Sequence, residues 1–247
     1  MTDRRRQQSL NSSLVLIAAP TVDVLSLEEA KAALGIATSD QDGMLAAAIA
    51  AAAAVLDPAF GGWLGRALRP QTWELRLSGF PNDDAADFSA GSDRGDRIRL
   101  PYPVLTALSS VKYDNALGVE QTLVKDTDYR VYGLGGHHRA FVAPLAGTTW
   151  PWARRELESV RIQFVCGYAP AVSASPGPVA ADKCPPPIRQ AIVLASRMLL
   201  SNVERNLFIA SDKTEGVGET RYVVSDSANR MIEAASSSLL ESYRVYG

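Results

Sequence analysis

VRIQFVCGY (160–168) and PPPIRQAIVLASRMLLSNV (185–203) decide the fold class, because the period of the apolar residues changes between them. In the first stretch Val160, Ile162 and Phe164 alternate with Arg161 and Gln163, the pattern of a half-buried strand. In the second, Ile188, Ile192, Ala195, Leu199 and Val203 recur at the three- and four-residue steps of one helix face. Ala169 to Pro187, rich in proline, alanine, serine and glycine, reads as the linker between them. The triple proline at its end stiffens the start of the helix.

Upstream of residue 160 the strand-like character continues. QTWELRL (71–77), IRL (98–100), SSVKYD (109–114), TLVKD (122–126), YRVYG (129–133) and AFVAP (140–144) are short and β-rich, separated by turn formers at Asn115 to Gly118, Gly133 to Gly136 and Gly147. Pro81 to Asp96 holds five aspartates and little to bury, as a loop does. Before residue 70 the pattern is helical. Ser26-Leu-Glu-Glu29 is a capping-box sequence, and Gly35 closes the short helix it opens. A second helix runs through MLAAAIAAAAAVL (44–56), with Leu45, Ile49, Ala52 and Leu56 on one stripe and alanine elsewhere. Asp57-Pro58 reads as an N-cap with proline in the first turn of a short helical piece toward Trp63. A terminal helix follows from about Ser227, with Ile232, Ala235, Leu239 and Tyr243 on one face.

These readings predict an α+β fold: a helical core with an inserted antiparallel β-rich region. The expected division is an arm and extended lead-in over 1–23, N-terminal helices over 24–68 and the β-rich insert over 69–168. A linker over 169–187, a core helix over 188–209 and a C-terminal extension with its helix over 210–247 complete it.

With 247 residues and 47% hydrophobic content, the chain can bury a substantial core. A formal charge of −2 supplies no global field toward nucleic acid or an anionic membrane. Two cysteines, Cys166 and Cys184, are too few for a disulfide framework or a four-thiolate zinc site. Arg4 to Arg6 followed by LVLIAAP imitates a secretory signal, but Pro20 ends the apolar run too soon. No segment approaches the roughly 18 apolar residues of a membrane span.

Chemistry-bearing motifs are scarce. His137 and His138, side by side in GLGGHHRAF (133–141), are the chain's two histidines. Neighbouring strand residues face opposite ways, and neither H-x-E nor H-E-x-x-H spacing is present, so the pair reads as part of a turn rather than a metal site. There is no G-x-S-x-G, Cys166 sits within a strand, and the glycine pairs at 61–62 and 135–136 lack the phosphate-loop pattern. Arg154-Arg155 reads as a surface pair. No catalytic, cofactor-binding or metal-binding residue is assigned.

The order of segments carries more. VLSLEEAKAALGI (24–36), the alanine-rich helix (40–57), LGRALRPQTWELRL (64–77), RIRLPYPVLTALSSVKYDNALG (97–118), TLVKDTDYRV (122–131), TTWPW (148–152), VRIQFVCGYA (160–169) and PPPIRQAIVLASRMLLSNVER (185–205) together resemble the head–tail connector (adaptor) family of tailed bacteriophages and gene transfer agents. The acidic stretch 81–96 and the linker 169–187 depart from that pattern by their length.

The resemblance implies a structural virion neck protein, not an enzyme and without a cofactor. Its homo-oligomeric ring, commonly dodecameric, would sit below the portal protein, extend the DNA channel and give the next neck or tail protein a docking platform. DNA would only pass through, with no membrane involved, and the protein would be made in the host cytoplasm. On this reading Ala47, Ala51 and Ala54 are ring-interface candidates, since slim helices allow close lateral contact. Arg221, Tyr222, Tyr243 and Arg244 are portal-interface candidates, arginine and tyrosine being frequent interface anchors. The alternatives are another virion module, a neck stopper or ligand-binding β-domain, or a metal-dependent hydrolase using His137 and His138.

Overall fold

The chain leaves and rejoins its helical part through two paired strands. In the computed structural model, β2 (Gln71–Leu77) and β8 (Val160–Cys166) run antiparallel with Gln71 opposite Cys166 and Leu77 opposite Val160. Both alternate strictly between buried and half-buried residues, so Trp73, Leu75, Ile162 and Phe164 enter the core while Glu74, Arg76, Arg161 and Gln163 line the other face. The structure describes residues 12–81, 96–169, 184–208 (backbone alone for 202–208), 234 and 236–246. The acidic stretch from 82 to 95, most of the expected linker, Arg4 to Arg6 and the segment from 209 to 233 lie outside the described residues.

The chain forms two compact units and has an α+β fold. The β unit contains residues 12–21 and Arg69–Ala169. Its main sheet, ordered β1-β2-β8-β4-β5, is antiparallel throughout, with β1 at Ser12–Ala18, β4 at Leu105–Asp114 and β5 at Glu120–Leu123. A smaller sheet is ordered β3-β7-β6, from Ile98–Arg99, Phe141–Pro144 and Tyr129–Tyr132. Each strand-like segment of the sequence thus contributes to a strand, although TLVKD does so only through Thr122 and Leu123. The lead-in read before Pro20 is more than an extension: β1 pairs with β2 and edges the sheet. An aromatic cluster fills the unit, with Phe80 stacked on Trp150 at 4.7 Å and edge-on to Tyr113 at 5.6 Å.

The helical unit contains Val22–Leu68 and the described residues from 184 onward. Helix α1 (Leu27–Leu34) begins with the expected capping box: Ser26 Oγ accepts the Glu29 N–H at 3.2 Å, and the Glu29 carboxylate accepts the Ser26 N–H at 3.1 Å. Gly35 ends it with φ 69°, the left-handed conformation that favours glycine. Helix α2 spans Asp42–Leu56 and buries Leu45, Ile49, Ala52 and Leu56 as its stripe requires, joined by Ala48 and Ala53. A single 3-10 turn, Pro58–Phe60, follows, and Asp57 caps it by accepting the Ala59 N–H at 3.0 Å.

Helix α3 (Pro186–Phe208) starts inside the triple proline, where a missing N–H costs nothing. Its buried face departs from the expected stripe. Ile188 and Ile192 are buried, but Ala195 is half-buried, Leu199 is exposed, and Ser196 and Leu200 are inside. Ser196 can be buried because its hydroxyl donates to the Ile192 carbonyl at 2.7 Å. In the helical turn at 236–241 the buried residue is likewise Leu240, with Leu239 half-buried.

The polar face of the main sheet carries three cations on adjacent strands. Arg76 lies opposite Arg161, which lies opposite Lys112. Carboxylates separate them: Arg76 pairs with Glu74 at 2.7 Å and Glu158 at 2.8 Å, Arg161 holds Asp114 at 2.8 Å and Glu120 at 3.0 Å, and Lys112 holds Glu120 at 2.8 Å. Hydrogen bonding from Arg161 lowers the Asp114 pKa, and hydrogen bonding from Lys112 lowers that of Glu120. Depressed native pKa values make these pairs stabilising above the ordinary carboxylate range. That contribution fades as pH falls through the range and is gone below the lowered native values. Urea midpoints of Asp114→Asn and the parent chain should therefore differ near pH 7 and converge at the most acid pH at which both remain folded. A constant difference would show that the pair contributes nothing through charge.

One close approach ties the strands where the insert begins and ends. Gly167 has φ +114°, and a Cβ there would lie 2.0 Å from the Arg69 carbonyl oxygen. Gly167→Ala should cost about 2–5 kcal/mol in urea unfolding, from backbone strain and overpacking together. A loss within experimental error would show that the approach is not required.

Candidate functional site

Helix α2 lacks a polar face. From Gly43 to Leu56 it carries no polar side chain, although Met44, Ala46, Ala47, Ala50, Ala51 and Val55 are exposed. Met44 is 38% and Val55 61% exposed. A helix at a protein surface normally turns charged or polar residues to water, and one that is apolar all round is normally buried. Alanine favours the helix, because it has the highest helix propensity. It does not explain why no lysine or glutamate interrupts the outer face.

The apolar surface continues past the helix. Phe60, in the 3-10 turn, is 55% exposed, and Trp63 is 41% exposed, its backbone N–H donating to the Val55 carbonyl at 3.3 Å. Of the ring-interface candidates, Ala47 and Ala51 lie on the exposed face and Ala54 is half-buried at its border. Sequence reasoning singled out the alanines and missed Met44, Val55, Phe60 and Trp63. The signal for Met44 and Val55 was available as their phase, since they follow Ala47 and Ala51 around the helix.

The C-terminal segment docks beside this surface within the same unit. Leu240 is buried, the Val245 N–H donates to the Leu64 carbonyl at 2.9 Å, and Arg66 Nε donates to the Tyr243 carbonyl at 3.2 Å. The Arg244 guanidinium lies over the Trp63 ring at 5.3 Å and the Tyr246 ring at 4.8 Å, contacts worth roughly 0.5–1 kcal/mol where exposed. The Tyr246 hydroxyl donates to Glu241 at 2.8 Å, which raises its pKa. Two portal-interface candidates, Tyr243 and Arg244, thus belong to an ordered corner on their own unit, with Arg244 exposed and Tyr243 half-buried. Arg221 and Tyr222 lie outside the described residues, so they are not brought together with them.

The other singled-out residues occupy ordinary positions. His137 and His138 are exposed in the connection between β6 and β7, where the Gly136 N–H donates to Gly133 at 3.2 Å. Among the described residues no group of three His, Cys, Asp or Glu side chains is placed to hold a metal ion. Both cysteines are buried thiols. Burial pushes the Cys184 thiol up to about 12, which keeps it protonated and unreactive. Arg154 pairs with Glu156 at 2.9 Å, and Arg155 lies over Trp152 at 5.5 Å. Among the described residues no helix is long and apolar enough to cross a membrane.

An antiparallel β unit inserted between helices defines the class as an α+β protein, with an apolar helix face that is exposed among the described residues. Solved structures similar to this fold include chains from gene transfer agent particles. The chain matches one from the neck of an empty gene transfer agent (GTA) particle computed with C6 symmetry, at a TM-score of 0.56 and 17% identity over 95% of this chain and 96% of that one. A chain from the virion of a native GTA particle matches with the same values. One from the neck of a native GTA particle computed with C12 symmetry matches at a TM-score of 0.51, with the same identity and coverage. At this identity the likeness establishes the fold. No protein-family model and no curated protein matches the chain.

Gly65 tests how the corner is built. It has φ +68°, and a Cβ there would lie 2.2 Å from the Val245 carbonyl oxygen. Gly65→Ala should detach the C-terminal segment, speeding amide exchange at Val245 by about tenfold or more while strand amides of the β unit stay protected. Unchanged exchange at Val245 would show that the segment is held elsewhere.

Proposed function

We propose that this chain is a structural component of a virion neck and, within the neck, the head–tail adaptor. In that role it forms a ring below the portal, extends the DNA channel and offers the docking platform for the next neck or tail protein. The bare outer face of α2 carries the reading, because it is a surface a protein working alone has no reason to keep. The fold shared with chains from GTA necks over 95% of the length supports it. Two of those necks were computed with cyclic symmetry, and cyclic rings are built from heterologous contacts between unlike patches of identical subunits.

In the ring, Ala47, Ala51 and Ala54 let a neighbouring subunit approach closely, while Met44 and Val55 supply the burial. Covering what remains exposed of each of those two larger side chains contributes roughly 0.5–2 kcal/mol, and each alanine less. The exposed Arg244 corner, with Arg221 and Tyr222 from the same C-terminal extension, faces the portal. The role requires no catalysis: the chain positions partners, and DNA passes without being held. Near-neutral net charge suits that, since each cation placed on a phosphate would add affinity and slow passage.

Native mass spectrometry of the purified chain should show a closed multimer near twelve subunits, and Ala51→Glu should return it to monomer with an unchanged circular dichroism spectrum. An uncompensated charge inside an interface costs several kcal/mol, enough to open such a ring. A multimer that survives Ala51→Glu would remove α2 from the interface.

A further inference from the structure

The two sheets hold their cations in different ways. On the main sheet Arg76, Arg161 and Lys112 each stand against carboxylates. The small sheet pairs Arg99 with Phe141 and Phe141 with Tyr132, and farther along it places Arg130 opposite Ala143. Cross-strand partners share a face. One face of this sheet therefore carries Arg99, Phe141, Tyr132, Ala143 and Arg130, with no carboxylate among them, while Ile98, Val142 and Val131 turn to the other. Arg99, Arg130 and Tyr132 are exposed.

A third cation on this face is held by rings rather than by acids. Arg97 precedes β3, and its guanidinium lies over the Phe141 ring at 4.8 Å. Tyr132 stacks on the same ring at 4.9 Å, with the two planes 11° apart. A guanidinium on an aromatic face is positioned without being neutralised, whereas a carboxylate cancels its charge. Among the described residues neither Arg97 nor Arg130 forms an ion pair. Neighbouring strands lie about 4.8 Å apart, so cations on the β3 and β6 sides stand about 10 Å apart and can meet separate anionic groups.

We propose that this face of the small sheet touches the phosphate backbone of duplex DNA, with Arg97 and Arg130 as the phosphate-binding groups and Arg99 beside them. Spaced guanidinium groups that keep their charge suit a partner with repeating phosphates, whose oxygens accept paired hydrogen bonds from arginine. The aromatic pair serves as the support that fixes Arg97. Such contacts position the duplex and read no sequence. They are salt-sensitive and let protein and DNA slide past each other, so they centre a passing duplex without arresting it. The net charge of −2 does not cancel the patch, because exposed charges more than about 10 Å apart are largely screened from one another at 0.1 M salt. The choice of DNA among polyanions rests on the proposed neck role; the contact itself does not.

Fluorescence anisotropy of a short labelled DNA duplex, titrated with the full chain over a series of salt concentrations, tests it. The parent chain should bind at low salt. Arg97→Gln with Arg130→Gln should weaken binding by about tenfold or more and reduce the slope of log affinity against log salt by about 2, and Arg130→Gln alone should reduce it by about 1. Lys112→Gln removes the same charge from a cation already paired with Glu120, and should change neither affinity nor slope. All variants should keep the parent's circular dichroism spectrum. Three results would overturn the proposal. One is a parent chain that does not bind at low salt, and another is an equal loss from Lys112→Gln. The third is binding that appears only after Asp83, Asp84, Asp87 and Asp93 are changed to asparagine, which would give the face to the chain's own acidic stretch. A chain that binds DNA in this way yet stays monomeric would sink the ring alone, and a ring that ignores DNA would sink this contact alone.

Discussion

The ladder between β2 and β8 is the contact on which the rest of the molecule depends. Gln71 faces Cys166 across the two strands, so the excursion from 69 to 169 begins and ends at one place. Gly167 makes the closure tight: its N–H donates to Val104 at 2.8 Å while its bare α-carbon passes the Arg69 carbonyl. A loop of a hundred residues costs little more to close than one of fifty, because closure entropy grows with the logarithm of length. The helical unit can therefore be assembled from distant segments. Lys31 pairs with Asp42 at 2.8 Å, and Arg189 pairs with Glu29 across the insertion.

Much of this was legible because the relevant signals are local. The capping box at Ser26, the Asp57 cap and the alternation in β2 and β8 need no knowledge of distant residues. β1 was harder. Its sequence reads as extended, but that it edges the sheet depends on a partner far along the chain, and register is a tertiary fact. The stripe on α3 failed for another reason. Stepping from Ile192 through Ala195 to Leu199 keeps to apolar residues, whereas the actual face runs through Ser196 to Leu200. A serine whose hydroxyl returns to its own helix backbone can be buried as easily as an alanine, and residue type alone conceals that.

The site was half legible for a related reason. The alanines of α2 announce themselves by number, and their exposure follows from the phase of Leu45 and Ile49. Trp63 and the C-terminal corner could not be joined from sequence. Their contact rests on Gly65, whose missing side chain leaves room for Val245. Such close approaches are set by a single absent atom and leave no periodic trace.

The polar and apolar surfaces are finished to different degrees. Arg76, Arg161 and Lys112 stand side by side, and each has its carboxylates, so the main sheet's polar face offers phosphate no unpaired row of cations. The apolar face of α2 and the outer edge of β1 have no comparable completion among the described residues. These two surfaces make different demands. A smooth helix face is covered by any well-shaped apolar surface, since burial is non-directional. A sheet edge accepts only extended backbone, because its hydrogen bonds are directional. Charge would attract partners at long range with little discrimination, whereas shape and hydrogen-bond direction act only on contact. Among the described residues the main-sheet cations are matched while the α2 face and the β1 edge are not, so any contact made there would be selected by shape and hydrogen-bond direction rather than by charge.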